Sequence, residues 1–240
     1  MAISPTVAAH YKLLGFGSDA RVYVETALSP QVVDATPGNS QAGEPILLSV
    51  GRLVEYKGHS FLIQAVHKLV RQEGLRAQLL IVGDGPLRHE LQDLVTALGL
   101  GNWVHLIRHV PQGPELWQHY RSASIYVQPS LTESFGMAVL EGMYFGLPVV
   151  ASRVGGLRDI VQHGETGILV PPGDVEALSS ALATLLRSPD LRQRMGSAGR
   201  AVALRYTPEG ETETLLRVLT KVVKRRQIQE AAGSRAGSGG

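Results

Sequence analysis

Ile125-Tyr126-Val127-Gln128-Pro129-Ser130-Leu131-Thr132-Glu133-Ser134-Phe135-Gly136-Met137-Ala138-Val139-Leu140-Glu141 decides the reading of this chain. Ile125 to Gln128 predicts a strand, and Pro129 leads out of it. A short apolar helix is expected next, with Glu133 at its mouth and Glu141 in its body, eight residues on. Val149 to Ala151, after Pro148, reads as another strand.

The same alternation extends in both directions. Ile46 to Val50, Gln78 to Val82, Val104 to Ile107 and Ile168 to Val170 are further strand-like runs. Leu62, Ala65, Val66, Leu69 and Val70 recur at helical spacing, as do Leu87, Leu91, Leu94, Val95 and Leu98. Helices are also expected over Glu115 to Ser122, Val175 to Arg187, Pro189 to Leu204 and Pro208 to Arg226. Nearly continuous apolar strands alternating with helices predict an α/β fold. Its doubly wound parallel sheet carries helices on both faces, in Rossmann-like fashion.

The ends differ in composition. Ala35 to Glu44 contains Pro37, Gly38, Asn39, Ser40 and Gly43, which suits a linker. Residues 1–34 hold too few apolar side chains for a core, and residues 231–240 read as a flexible tail.

With 44% hydrophobic and 18% charged residues, the 240-residue chain has the makeup of a soluble globular protein. A net charge of +2 does not call for nucleic acid. Arg217, Lys221, Lys224, Arg225 and Arg226 form a local basic excess interleaved with apolar residues. That pattern suits a solvated helix face, or contact with anionic lipid at the inner membrane surface. The absence of cysteine removes disulfides, thiolate zinc sites and cysteine nucleophiles. No secretory signal or spanning run is evident, so the cytoplasm is the expected compartment.

Several residue groups could carry chemistry. Gly51-Arg52 follows the first strand and Lys57-Gly58 precedes the next helix, which places two cations at the carboxyl edge of the sheet. Solvated loop cations are the plainer alternative. Gly83-Asp84-Gly85-Pro86 is a glycine-rich turn that lacks the dinucleotide and Walker signatures. Placed on one helix, Glu133 and Glu141 would lie about 12 Å apart along the axis and roughly 80° apart around it. A helix start binds phosphate and flanking carboxylates bind hydroxyls, so a diphosphate with a sugar at each end fits. The apolar neighbours of Glu141 predict that it has a partner. The eight histidines show no metal-ligand spacing, and no metal site is expected.

Six segments in order resemble the C-terminal, donor-binding domain of the family 4 glycosyltransferases, retaining enzymes of the two-domain GT-B fold. They are Ser49 to Leu53 with Lys57-Gly58, Ile81 to Pro86, Gln128 to Ser130, the E-x7-E pair Glu133 and Glu141, Gly146 to Ala151 with Gly155-Gly156, and Gly164 to Gly167. The resemblance implies that a hexose-type sugar is transferred from a nucleotide diphosphate sugar, such as a UDP- or GDP-sugar, with no cofactor and no metal. It assigns Arg52 and Lys57 to the diphosphate, Glu133 to the transferred sugar, and Glu141 to the ribose. The backbone of Ser134, Phe135 and Gly136 would meet sugar hydroxyls and phosphate. Gly51, Gly83, Asp84, Met137 and Ala138 also count among the donor-contacting positions, and the 108–110 loop of Arg108, His109 and Val110 lies beside the base. Arg52, Lys57 and Glu133 would act in catalysis.

By the same resemblance residues 1–44 are the end of an acceptor-binding domain and its linker, residues 45–206 the donor domain, and residues 207–230 a crossover helix. The chain alone is then expected to lack the acceptor half, which another chain would supply. The acceptor could be a glycan, a lipid or a small molecule. A non-catalytic nucleotide-sugar-binding module and a nucleotide-sugar epimerase are the competing readings. Arg108 departs from the family pattern, which has glycine there.

Overall fold

Strands of four or five residues, buried on both faces except at the edge strand Val104–Ile107, build the centre of the protein. They are β1 (Ile46–Val50), β2 (Gln78–Val82), β3 (Val104–Ile107), β4 (Ile125–Gln128), β5 (Val149–Ser152) and β6 (Gly167–Val170). The structure, a computed structural model, describes residues 43–207 and Thr220. All pairings are parallel, and the sheet order is β3-β2-β1-β4-β5-β6. The expected α/β doubly wound, Rossmann-like sheet is therefore present. Its direction of winding reverses between β1 and β4, and a crevice at the carboxyl ends of such strands is where this architecture binds ligands.

Alternate residues of each strand feed two cores. Leu47, Ile81, Ile125, Val127 and Val150 face one side. Leu48, Val82, Tyr126, Val149 and Ala151 face the other. The first side is covered by α1 (His59–Arg71), α2 (Arg88–Ala97) and α6 (Val175–Arg187). In α1 the buried positions Leu62, Ile63, Ala65, Val66 and Leu69 follow the helical period. The second side is covered by α3 (Pro114–Ser122), α4 (Met137–Tyr144) and the single turn α5 (Leu157–Ile160). Helix α7 (Pro189–Ala203) packs against α4 and runs into a 3-10 turn, Leu204–Tyr206. Asp174 caps α6 by accepting from the Ala177 amide at 2.9 Å.

Two readings are corrected. Glu133 is not part of the helix that carries Glu141: α4 begins at Met137 with Gly136 as its cap, so Glu133 lies in the preceding loop. The axial spacing and face angle expected for a shared helix therefore do not apply. The break is at Gly136, which has φ 111, outside the helical region; a Cβ there would also stand 2.5 Å from Leu157 Cδ2. Helix α7 also stops one residue before the expected Leu204. Apart from Thr220, the expected helix over Pro208 to Arg226 lies outside the described residues, as do the 1–42 and 231–240 segments. No helix among the described residues is long and apolar enough to cross a membrane.

Candidate active site at the carboxyl edge of the sheet

Three loops are pressed together above β1, β4 and β5. After β1 the chain makes a 3-10 turn, Glu55–Lys57, and Gly58 follows with φ 68. A Cβ on Gly58 would lie 2.1 Å from the Pro129 carbonyl oxygen, so only glycine lets the loops after β1 and β4 touch. The Leu131 amide donates to the Tyr56 carbonyl at 2.8 Å, which stitches the same junction. On the far side the Gly156 amide donates to the Glu133 carbonyl at 3.0 Å. A Cβ on Gly155 would reach within 1.8 Å of that oxygen. The loop carrying Glu133 is thus clamped on both sides by backbone.

This clamp brings two of the expected residues into contact. Lys57 Nζ lies 2.6 Å from Glu133 Oε2, with both side chains mostly buried. Ser130 Oγ donates to the same oxygen at 3.4 Å. Glu133 Oε1 has no hydrogen-bond partner among the described residues, so it is free to meet a ligand. Arg52, in the loop after β1, is exposed and makes no ion pair among the described residues. Gly51 and Gly83 are packed together: a Cβ on Gly83 would meet the Gly51 carbonyl oxygen at 1.9 Å. At the helix start the amides of Met137 and Ala138 precede the first intrahelical bonds, which Val139 and Leu140 make to the Gly136 carbonyl. Such amides carry the positive end of the helix dipole.

Glu141 occupies a different environment. It is buried on α4, and both oxygens are taken by neutral donors. The Tyr120 hydroxyl donates to Oε2 at 2.6 Å, and Gln112 Nε2 donates to Oε1 at 2.7 Å. Burial pushes its carboxyl above the usual range, while the two donors pull the other way. The partner expected from its apolar neighbours is therefore present. Tyr120 stacks on Tyr126 with centroids 5.8 Å apart, and Tyr126 leads towards Glu133. The two glutamates are linked through side chains rather than along one helix face.

The 108–110 loop is more open. Arg108 is exposed and lies 3.8 Å from Asp84 Oδ2, a separation that supplies little attraction in water. His109 is exposed and Val110 is buried. Arg88 holds this region from beneath, donating to the Leu106 carbonyl at 2.7 Å and the Gly83 carbonyl at 3.3 Å.

Sequence reasoning missed Gln112, Tyr120 and Tyr126, whose roles come from tertiary contacts. It also missed His59, the first residue of α1. His59 is 2% exposed, and neither ring nitrogen has a hydrogen-bond partner. Burial, aided by the Lys57 charge, lowers its pKa to about 4, so the ring is neutral at pH 7.

Comparison with known proteins identifies the family and the fold. A family model described as glycosyl transferases group 1 matches residues 34–202. Over 209 residues the chain is 34% identical to the sulfoquinovosyl transferase SQD2 of Arabidopsis thaliana, covering 86% of this chain and 39% of that protein. It is 37% identical over 167 residues to a GDP-mannose-dependent alpha-(1-6)-phosphatidylinositol monomannoside mannosyltransferase of Mycolicibacterium smegmatis, covering 67% and 43% respectively. The chain thus spans about two fifths of the length of these curated relatives. Among solved structures, sucrose-phosphate synthase of Thermosynechococcus elongatus superposes with a TM-score of 0.74 at 28% identity, over 93% of this chain and 58% of that one. With its six-stranded sheet and its loops at the carboxyl edge, the chain is a C-terminal-type domain of the GT-B fold and belongs to group 1 of the glycosyl transferases.

Proposed function

We propose that this chain is the donor-binding half of a retaining, family 4 hexosyltransferase that uses a nucleotide diphosphate sugar. The contact of Lys57 with Glu133 is the observation that carries the reading. One cation there can serve two ends of a donor: its charge faces the diphosphate while it fixes the carboxylate that meets the sugar. Glu133 Oε1 would accept from a sugar hydroxyl. Arg52 and the amides at the start of α4 would share the diphosphate charge. Glu141 would receive the ribose hydroxyls, with Gln112 giving up or sharing its place on Oε1.

In the reaction the bond from the anomeric carbon to the phosphate oxygen breaks and a bond to the acceptor oxygen forms. The leaving diphosphate gains negative charge, and fixed cations with helix-end amides would stabilise it without a metal. Attack from the leaving-group face retains configuration, and the phosphate oxygen takes the acceptor proton. No basic side chain is then required in this domain. The GDP-mannose dependence of one relative supports a nucleotide diphosphate sugar as the donor class. The acceptor, a glycan, lipid or small molecule, belongs to the same proposal. So do cytoplasmic location and contact of the Arg217 to Arg226 segment with anionic lipid.

The second reading is a module that holds a nucleotide sugar without transferring it. Incubation with labelled UDP-glucose or GDP-mannose separates the two by release or transfer of sugar. For the site itself, Arg52→Ala and Lys57→Ala should each weaken UDP or GDP binding by at least about tenfold in calorimetry. Unchanged affinity in both variants would remove the assignment.

A further inference from the structure

A chain of buried hydrogen bonds ends on Glu133. The Tyr126 hydroxyl lies 2.9 Å from Gln128 Oε1 and 3.3 Å from the Val50 carbonyl. Gln128 Nε2 donates to Ser130 Oγ at 2.8 Å. The Ser130 hydroxyl, its oxygen already receiving from Gln128, has its hydrogen free for Glu133 Oε2 at 3.4 Å. Tyr126 and Ser130 are fully buried and Gln128 is 1% exposed. The other β4 residues pack apolar cores on both faces, so the buried amide of Gln128 is the exception in this strand. A buried amide costs free energy unless both its ends are satisfied, and here one end is spent on a serine whose proton faces the carboxylate.

We propose that Gln128 and Ser130, backed by Tyr126, are positioning residues that hold Glu133 with Oε2 turned inward and Oε1 presented to the donor sugar. Two anchors define that pose: Lys57 pulls Oε2 from the phosphate side and Ser130 from the sheet side. One anchor alone would leave the carboxylate free to swing about the other. The ionised carboxylate also sets the sense of the chain, since each donor points its positive end toward the charge. The inference rests on the donor-site reading and adds to it the residues that make Glu133 sugar-selective rather than a plain counter-ion to Lys57.

The test compares each nucleotide with its sugar form: UDP against UDP-glucose, and GDP against GDP-mannose, on the full chain. Ser130→Ala and Gln128→Met should lower the extra affinity gained from the sugar by about tenfold. Affinity for the bare diphosphates should stay within about twofold, which also reports that the variants are folded. In a Glu133→Gln background, Ser130→Ala should add less than about a further twofold, because the pair acts as a unit. Equal losses for diphosphate and sugar form, or full additivity with Glu133→Gln, would overturn the inference.

A ligand-free reading keeps the two claims apart. The Gln128 side-chain amide signals, identified by their loss in Gln128→Met, should shift on Glu133→Gln. Signals that do not move would overturn the relay even in a wild-type chain that binds donor well. A wild-type chain that binds none of the four probes while the signals shift would overturn the donor-site reading, and the sugar-selective role with it.

Discussion

Glu133 and Glu141 stand eight residues apart in sequence, yet the protein treats them as different kinds of group. Glu133 sits in a loop, is gripped by a cation, and keeps one oxygen open. Glu141 sits inside α4, is gripped by two neutral donors, and keeps no oxygen open. The first keeps its open oxygen at the edge of the sheet, beside a cation. The second is built into the core, and its charge is tolerated only because Tyr120 and Gln112 solvate it. A motif that reads as two carboxylates on one helix is therefore one loop carboxylate held by a cation and one core carboxylate held by two neutral donors.

The contrast can be broken first on the buried side. Glu141→Ala should destabilise by about 3 to 5 kcal/mol in chemical denaturation, because it leaves a cavity and orphans two donors. Glu141→Gln should cost far less at pH 7, since burial already disfavours the charged form. Glu133→Gln keeps an acceptor for Lys57 and Ser130 and leaves no cavity, so it should cost less than Glu141→Ala, about 2 kcal/mol. Equal destabilisation by Glu133→Gln and Glu141→Ala would erase the distinction.

The next effect sharpens it through pH. His59 has its folded pKa depressed from 6.5 to about 4, so the unfolded chain takes up a proton first as pH falls. Its contribution is fully present above pH 6.5 and is lost between there and about 4, amounting to about 3 kcal/mol. Glu141 has the opposite sign. Its folded pKa lies above 4.5, so stability falls as pH rises from 4.5 through that folded value. His59→Phe should flatten the acid limb of the stability curve, and Glu141→Gln should remove the opposing slope. A pH profile that His59→Phe leaves unchanged would contradict the burial of an uncharged ring.

The strands were legible because burial makes them nearly continuous apolar runs, with His105 of the edge strand β3 an exposed exception. Gln78–Val82 and Ile125–Gln128 have the bounds that their composition predicts. Helices α1 and α2 were legible from their stripes. Helix α5 was not, since four residues hold no period. Glu133 reads as helical because Phe135, Met137 and Ala138 continue the apolar run. The break falls at Gly136, whose positive φ suits glycine, and the close approach of Leu157 that excludes a side chain there is one no local pattern reports. Within the site, the residue types at Arg52, Lys57, Glu133 and Glu141 could be singled out. The contact of Lys57 with Glu133 spans 76 residues and depends on Gly58 meeting Pro129. Tyr120 and Gln112 look ordinary until the fold places them on a carboxylate.

The central claim is that a nucleotide diphosphate lies along the carboxyl edge between β1 and β4. Amide chemical-shift mapping of the labelled chain with saturating UDP or GDP tests it most directly. The account predicts the largest shifts at Gly51, Arg52, Lys57, the Glu133 to Ala138 loop and helix start, and Glu141, with β6 and α6 little changed. No saturable shifts with either nucleotide, or shifts confined to the amino-terminal edge of the sheet, would contradict it.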